Sequence, residues 1–180
     1  MTIICAVYDA DASKFWLGCN SGNLVGDTII PKHGTKWLRF TNWAIAISAP
    51  GVAHDALEIE RAKFPNQTED VAQVTSFIRT SFTKHELGEI NNGAKDYDVS
   101  ILIAHTSGTF YNLDTRLAIN SIPEGAMWAA GSGKEFALGA DIALKTKGFS
   151  PQDRIETAVL AAIDLDSGCP GEPLIESFGK

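Results

Sequence analysis

Thr2 is the first residue whose type and position could carry chemistry. It directly precedes an apolar run at residues 3–8, so the start of the chain is predicted to belong to the core instead of fraying. One interpretation is that Thr2 only begins a strand, since threonine favours that conformation. The other is that removal of Met1 makes Thr2 a new N-terminus, whose hydroxyl and amine do chemistry together.

Lys36 is the second candidate, because it is an amine within an apolar strand. Along the predicted strand at residues 35–40, side chains alternate between faces, which places Lys36 on the same face as Leu38 and Phe40. Its ammonium could reach water from the strand end. Alternatively the ammonium is desolvated, and a functional site uses its charge.

Two polar loops beside predicted helices are further candidates. Gly131-Ser132-Gly133 joins a strand to a helix, where Ser132 could simply be an N-cap, and its spacing is not that of a phosphate-binding loop. The loop Asp164-Leu165-Asp166-Ser167-Gly168 closes another helix, where acidic residues oppose the helix dipole. That loop is either a solvated acidic surface or part of a site. The spacing of His, Cys and acidic residues predicts no metal site, and no cofactor is expected.

The composition restricts the classes of function. The chain has 180 residues, of which 44% are hydrophobic and 21% charged, and this indicates a single globular domain over residues 1–180. A net charge of −7 argues against nucleic acid or an anionic membrane as a partner. The sequence shows neither a signal peptide nor an apolar run of bilayer-spanning length. The three cysteines have no metal-ligand spacing, and a cytoplasmic protein with reduced thiols is expected.

The apolar pattern predicts the elements that must position these residues. The helices are expected at residues 52–63, 68–87, 133–147 and 150–164, with strands at 2–8, 15–19, 43–48, 97–105 and elsewhere between them. Several of the strands are apolar on both faces, so each must be covered on both sides. The fold class expected is therefore α+β, a four-layer αββα sandwich in which two antiparallel sheets lie between helix pairs.

Several short motifs, in this order, resemble the bacterial proteasome β-type subunits, of which HslV is the best-known member. They are Thr2-Ile3-Ile4 at the start, Gly26-Asp27-Thr28 before Lys36, Ser48-Ala49-Pro50-Gly51 before the first helix, Gly131-Ser132-Gly133 before the third, and Asp164-x-x-Ser167-Gly168 after the fourth. Together they span nearly the whole chain. The resemblance implies the αββα fold of N-terminal nucleophile hydrolases.

The resemblance also implies catalytic roles. Thr2 would be the nucleophile, activated by its own free α-amine, and the Lys36 ammonium would lower the pKa of that amine. The backbone N–H of Ser48 would stabilise the oxyanion, an effect worth roughly 3–4 kcal/mol in comparable sites. Attack on a peptide carbonyl would form an acyl-enzyme that water hydrolyses. The residues that would hold the amine and the hydroxyl are Ser132, Asp164 and Ser167.

One position departs from the family pattern. Asn20 stands where the family has an aspartate beside the lysine, so Lys36 would lose that anionic partner unless Asp27 or Asp164 supplies another. If the missing charge limits activity, Asn20→Asp is expected to raise it. Catalysis also requires the removal of Met1, because an amide nitrogen is not a base.

Three functions are compatible with these observations. The first is a threonine-type endopeptidase subunit that degrades unfolded polypeptides inside a stacked homo-oligomeric double ring of twelve or fourteen copies, which an ATPase unfoldase ring could serve. The second is a catalytically impaired, ring-forming homologue that retains Met1. The third is an N-terminal nucleophile amidase that acts on small amides.

Overall fold

The helices and strands of the protein follow the predicted order. A computed structural model describes residues 2–25, 28–31, 36–48 and 51–179. The strands of this part of the chain are β1 (Ile3–Asp9), β2 (Lys14–Asn20), β3 (Gly22–Val25), β4 (Thr28–Pro31), β5 (Trp37–Arg39), β6 (Trp43–Ser48), β7 (Glu89–Asn91), β8 (Ala94–Asp96), β9 (Ser100–His105), β10 (Phe110–Leu113), β11 (Ile119–Ser121), β12 (Met127–Gly131) and β13 (Pro173–Gly179). The helices are α1 (Gly51–Ile59), α2 (Val71–Lys84), α3 (Lys134–Lys145) and α4 (Pro151–Leu165), and a 3₁₀ turn (Arg61–Lys63) follows α1.

Two larger antiparallel sheets contain most of the strands. The first sheet has the strand order β12-β1-β2-β13, so the strand that follows Thr2 lies inside the sheet and not at its edge. The second sheet has the order β11-β10-β9-β6-β5. Strands β3 and β4 pair with each other, as do β7 and β8.

Alternation along β1 explains why the first sheet is covered on both faces. Ile3, Cys5 and Val7 pack against apolar residues of α3 and α4. Ile4 and Ala6 point to the opposite face, where they contact the second sheet. Because β1 is apolar and buried from Ile3 to Val7, it contributes to two separate layers of core, and burial of each large aliphatic side chain contributes about 1.5–3 kcal/mol.

The second sheet repeats this arrangement with the other helix pair. Trp43, Ile45 and Ile47 of β6 pack against α1 and α2, whereas Ala44 and Ala46 face the first sheet. The layers are thus α3 and α4, the first sheet, the second sheet, then α1 and α2. The predicted four-layer αββα sandwich is confirmed.

A local signal accounts for the start of α4, and α1, α2 and α3 end before their predicted last residues. Ser150 caps α4 by accepting the Asp153 N–H at 3.2 Å, with Pro151 in the first turn. Helix α1 ends at Ile59, and only the 3₁₀ turn continues to residue 63. The β7–β8 hairpin, which the sequence analysis did not predict, turns at Asn92 and Gly93. Asn92 and Gly93 both have positive φ there, as a type I′ Asn-Gly turn requires.

No helix in the described part of the chain combines the length and the apolar character needed to cross a membrane.

A buried carboxylate joins the end of α1 to the end of α2. Glu60 is 5% exposed and accepts hydrogen bonds from Lys63 Nζ at 2.6 Å and from Lys84 Nζ. The Nε2 atom of His85 lies 3.5 Å from the same carboxylate. The hydrogen bond from Lys63, and then that from Lys84, lowers the pKa of Glu60 to about 2. The carboxylate is therefore ionised at neutral pH and stabilises this helix junction.

Replacing this carboxylate should destabilise the protein at neutral pH and have less effect in acid. The folded pKa of Glu60 lies below the unfolded value of about 4.3, so its stabilisation is complete above about pH 5 and is lost as the pH falls toward about 2. Urea unfolding of wild type and Glu60→Gln should show a gap at about pH 7 that narrows at about pH 3. Glu156→Gln, at an exposed position of α4, is the control. A gap that did not change with pH would contradict the assignment.

Candidate active site

Thr2 and Lys36 meet at the end of the sandwich where β1 and β5 begin. The Thr2 side chain is 7% exposed and the Lys36 side chain 6% exposed. Lys36 Nζ donates hydrogen bonds to Thr2 Oγ1, to Asn20 Oδ1 at 2.7 Å and to the Gly22 carbonyl at 3.0 Å. Of the two interpretations of Lys36, the structure therefore shows the buried ammonium and not one that reaches water.

Side-chain hydrogen-bond partners of Lys36 lie at the first sheet, although the residues that follow it in the sequence belong to the second sheet. Leu38 and Phe40, predicted to share its face, pack in the core beneath α1 and α2. Lys36 lies in a bend just before β5, and its ammonium reaches residues of the first sheet. The burial of Lys36 agrees with the second interpretation, the desolvated ammonium, but β5 begins at Trp37, so the alternation of the strand does not include Lys36.

Asn20 lies at the end of β2 with its side chain fully buried. Its Oδ1 accepts from Lys36 Nζ, from Thr2 Oγ1 at 2.9 Å and from the Ile3 N–H at 3.0 Å. Its Nδ2 donates to the carbonyls of Gly22 at 2.9 Å and Pro170 at 2.8 Å. Both ends of the amide are therefore satisfied, and Thr2, Lys36 and Asn20 form one connected network.

A second polar cluster lies beside the backbone of Thr2. Gly131 pairs with Ile3, so the next position of the antiparallel register places Ser132 opposite Thr2. The pKa of Asp166 is lowered mainly by the hydrogen bond from Ser132. Desolvation opposes this shift with a smaller effect. Asp166 also accepts the Gly168 N–H at 2.8 Å. An ionised carboxylate is thus available close to the start of β1.

Cys169 belongs to the same cluster. Its Sγ donates to Asp166 Oδ2 at 3.3 Å and lies 3.6 Å from Ser132 Oγ. Burial is the main reason that the pKa of this thiol is raised to about 11. At neutral pH Cys169 is therefore a neutral hydrogen-bond donor, and not a thiolate nucleophile.

The structure does not bring Asp164 or Ser167 to Thr2. Both side chains are exposed, and neither has a hydrogen-bond partner among the described residues. Helix α4 continues to Leu165, which leaves Asp164 on its surface, and Asp166 follows in an extended conformation that turns its side chain toward Ser132. The predicted Asp-x-x-Ser spacing also fits Asp166-x-x-Cys169 if a thiol replaces the hydroxyl. That substitution is the signal that the sequence analysis missed.

The backbone N–H of Ser48, predicted to stabilise an oxyanion, is directed into the second sheet. In an antiparallel ladder, alternate residues bond to the neighbouring strand on opposite sides. Phe40 N donates to Trp43 O at 2.8 Å, so the odd-numbered residues of β6 bond toward β5. Ser48 pairs with Ser100 on the other side, and its N–H points to β9. This direction does not suit the predicted role. Two other residues of the sequence analysis, Met1 and Asp27, lie outside the described residues.

Close backbone crossings hold the two halves of the site in place. Gly131 has a φ of +109°, and a Cβ added there would overlap the Thr2 carbonyl oxygen and lie 2.7 Å from the carbonyl carbon. A Cβ on Gly22 would lie 2.5 Å from the Pro170 carbonyl oxygen, and one on Gly171 would lie 2.5 Å from Gly22 N. These glycines are therefore required by close approach of the backbones that carry the site.

The chemistry that this arrangement can perform is nucleophilic. A buried hydroxyl lies against an ammonium, and a carboxylate is held beside the same segment. Within the described residues, no group of three or more His, Cys, Asp or Glu side chains could hold a metal ion.

Comparison with solved structures identifies proteins of the same fold. No protein-family model matches the sequence, and no curated protein matches it. BPH from Thiobacillus denitrificans, solved alone and in complex with epoxomicin, superposes with a TM-score of 0.81 at 16% identity, and the match covers at least 98% of both chains. Eukaryotic HslV from Trypanosoma brucei superposes with a TM-score of 0.71 at 17% identity over 99% of both chains. The predicted resemblance to HslV is therefore confirmed at the level of the fold.

Adding a methyl group at Gly131 should disturb the site directly. Gly131→Ala places a Cβ against the Thr2 carbonyl, and we expect a loss of about 1–3 kcal/mol in the free energy of unfolding. Gly139→Ala is the matched control, because a Cβ at that position of α3 meets no atom within 4 Å. Denaturant unfolding of the two variants tests this. Equal stability of both would show that β12 and Thr2 are not in close contact.

Proposed function

We propose that this chain is a subunit of a threonine-type endopeptidase whose nucleophile is Thr2, exposed as the N-terminal residue after removal of Met1. The observation that carries the proposal is the buried contact between Lys36 Nζ and Thr2 Oγ1. A lysine removed from water beside a hydroxyl is costly for folding alone, and such arrangements occur where a charge assists a reaction. The shared fold with BPH and HslV supports the same proposal.

The reaction begins when the free α-amine of Thr2 takes the proton of its own Oγ1. The oxygen attacks the carbonyl carbon of a peptide bond, and the amine returns the proton to the leaving nitrogen, which leaves an ester on Thr2. Water, deprotonated by the same amine, then hydrolyses the ester. The Lys36 ammonium assists the reaction in two ways: it keeps the amine in its neutral form before the proton is taken, and its positive charge stabilises the alkoxide that forms at Oγ1.

The amine and the oxyanion need partners of their own. Ser132 and Asp166, supported by Cys169, are the groups that we assign to the amine, in place of Asp164 and Ser167. For the oxyanion we assign the first turn of α1, which begins at Gly51, in place of the Ser48 N–H. A helix leaves the N–H groups of its first turn without intrahelical acceptors, so they can bind a developing negative charge.

Assembly and partners follow from the same proposal. We infer a stacked double ring with the Thr2 sites facing an inner chamber, unfolded polypeptides as substrates, and an ATPase unfoldase ring as the partner that delivers them. A cytoplasmic location is consistent with these roles. The twelve-copy and fourteen-copy rings are both compatible with the chain.

The rival function is a ring-forming homologue without catalysis, and the observation that favours it is Asn20. An amide carries no charge, so Lys36 receives no ionic partner from this position. A small-amide hydrolase is the third candidate, and turnover of small amides by protein that does not assemble would favour it.

Intact mass measurement separates the peptidase from its rivals. Protein purified from its native host should lack Met1 and should gain the mass of one inhibitor molecule at Thr2 after treatment with epoxomicin, the compound bound to BPH. Thr2→Ala should not be labelled. Lys36→Met should be labelled at least about 100-fold more slowly, because the charge that assists deprotonation is lost.

The control for Lys36→Met is Lys147→Met, which removes an exposed lysine beyond α3 and should be labelled at the wild-type rate. Retention of Met1 in protein from the native host, or labelling that does not require Thr2, would contradict the proposed peptidase.

A further inference from the structure

The side chain of Asn20 performs a task that the aspartate expected at this position could not perform. We propose that the Asn20 amide is a positioning group that must accept hydrogen bonds at one end and donate them at the other. This inference rests on the proposed function and deepens it: Asn20 is a requirement of this active site, not a sign that activity has been lost.

The orientation of the amide is determined by its neighbours. At one end lie the donors, namely the Lys36 ammonium, the Ile3 N–H and the Thr2 hydroxyl. At the other end lie two backbone carbonyl oxygens, of Gly22 and Pro170. Rotating the amide by half a turn would set donors against donors and oxygen against oxygen. One orientation alone satisfies the surroundings.

A carboxylate cannot satisfy both ends. Its two oxygens only accept hydrogen bonds, so Asn20→Asp would place a negative oxygen about 2.8–2.9 Å from the carbonyls of Gly22 and Pro170. Both carbonyls would lose the donor that the fully buried Asn20 side chain supplies. Attraction between the new carboxylate and Lys36 would be gained at the first end, while repulsion would be added at the second.

The second end of the amide connects Lys36 to a distant part of the chain. The Gly22 carbonyl accepts from both Asn20 Nδ2 and Lys36 Nζ, so the amide and the ammonium share one acceptor. Gly22 N in turn donates to the Pro170 carbonyl at 3.1 Å. Pro170 directly follows Cys169, the thiol that contacts Asp166. Asn20 therefore fixes the position of the Lys36 ammonium relative to the loop that contains Asp166, the residue assigned to the amine.

The first end of the amide orients the nucleophile. Thr2 Oγ1 donates its proton to Asn20 Oδ1 while it accepts from Lys36 Nζ. An amide oxygen is a weak base, so it holds the hydroxyl without removing its proton. A carboxylate at the same place would hold that proton more strongly and compete with the α-amine for it. We therefore expect Asn20→Asp to lower activity, and not to raise it as it would if the missing charge were limiting.

The first test measures stability and needs no activity. At neutral pH, Asn20→Asp should unfold at a lower denaturant concentration than wild type, whereas Asn91→Asp, the same change at an exposed position of β7, should not. Wild-type or greater stability of Asn20→Asp would overturn the proposal, because it would show that a carboxylate fits both ends of the site.

The second test separates positioning from a general loss of structure. The kcat of Asn20→Asp on a fluorogenic peptide, expressed per site titrated with epoxomicin, should fall about 100-fold, the scale of a small misplacement of reacting groups. The KM should change little, since Asn20 is fully buried and cannot touch substrate. If Asn20→Asp does not fold, Asn20→Ala replaces it, because it removes the amide without setting an oxygen against the carbonyls.

The outcomes distinguish this inference from the proposed function. An active wild type together with an equally or more active Asn20→Asp would overturn the role of the amide and leave the peptidase intact. A wild type that epoxomicin does not label would overturn the peptidase, and the stability comparison would then decide alone whether the amide is required at this position.

Discussion

The buried ammonium of Lys36 is the interaction on which the arrangement of this site depends. Moving an ammonium out of water costs several kcal/mol, and the cost is offset only where oxygen atoms surround the charge in good geometry. Here those oxygens come from Thr2, Asn20 and Gly22, which lie before β1, at the end of β2 and just after it. The charge can therefore be accommodated only when β1, β2 and β5 have their native relative positions.

Backbone crossings, more than side-chain packing, set the precision of these positions. Gly131 lets β12 lie against the Thr2 carbonyl, and Gly22 and Gly171 let the end of β2 touch the loop that leads to β13. Side chains can adjust to a neighbour by changing rotamer, but backbones that cross at this distance cannot. Thr2, the ammonium of Lys36 and the carboxylate of Asp166 are thus connected through main-chain contacts that tolerate little movement.

The comparison with BPH and HslV shows how far sequence can change beneath a common fold. At 16–17% identity the layers are retained, since their formation requires apolar residues on the proper faces and not particular residues. The site follows a different rule, because each polar group must match the donor or acceptor opposite to it. Asn20 meets this rule with an amide where the resemblance implied a carboxylate, and Cys169 meets it with a neutral thiol at a position to which the sequence analysis gave no role.

The sequence by itself determined the layers, the caps and the candidate pair. Strands that are apolar on both faces require two covered sheets, Ser150 and Pro151 specify the start of α4, and a lysine among apolar residues indicated Lys36. Only the tertiary structure decided that Asp166 and not Asp164 faces Ser132, and that the Ser48 N–H points to β9. Those outcomes depend on the residue at which α4 ends and on the register between strands distant in the chain. Local patterns do not contain that information, because both are set by packing among all four layers.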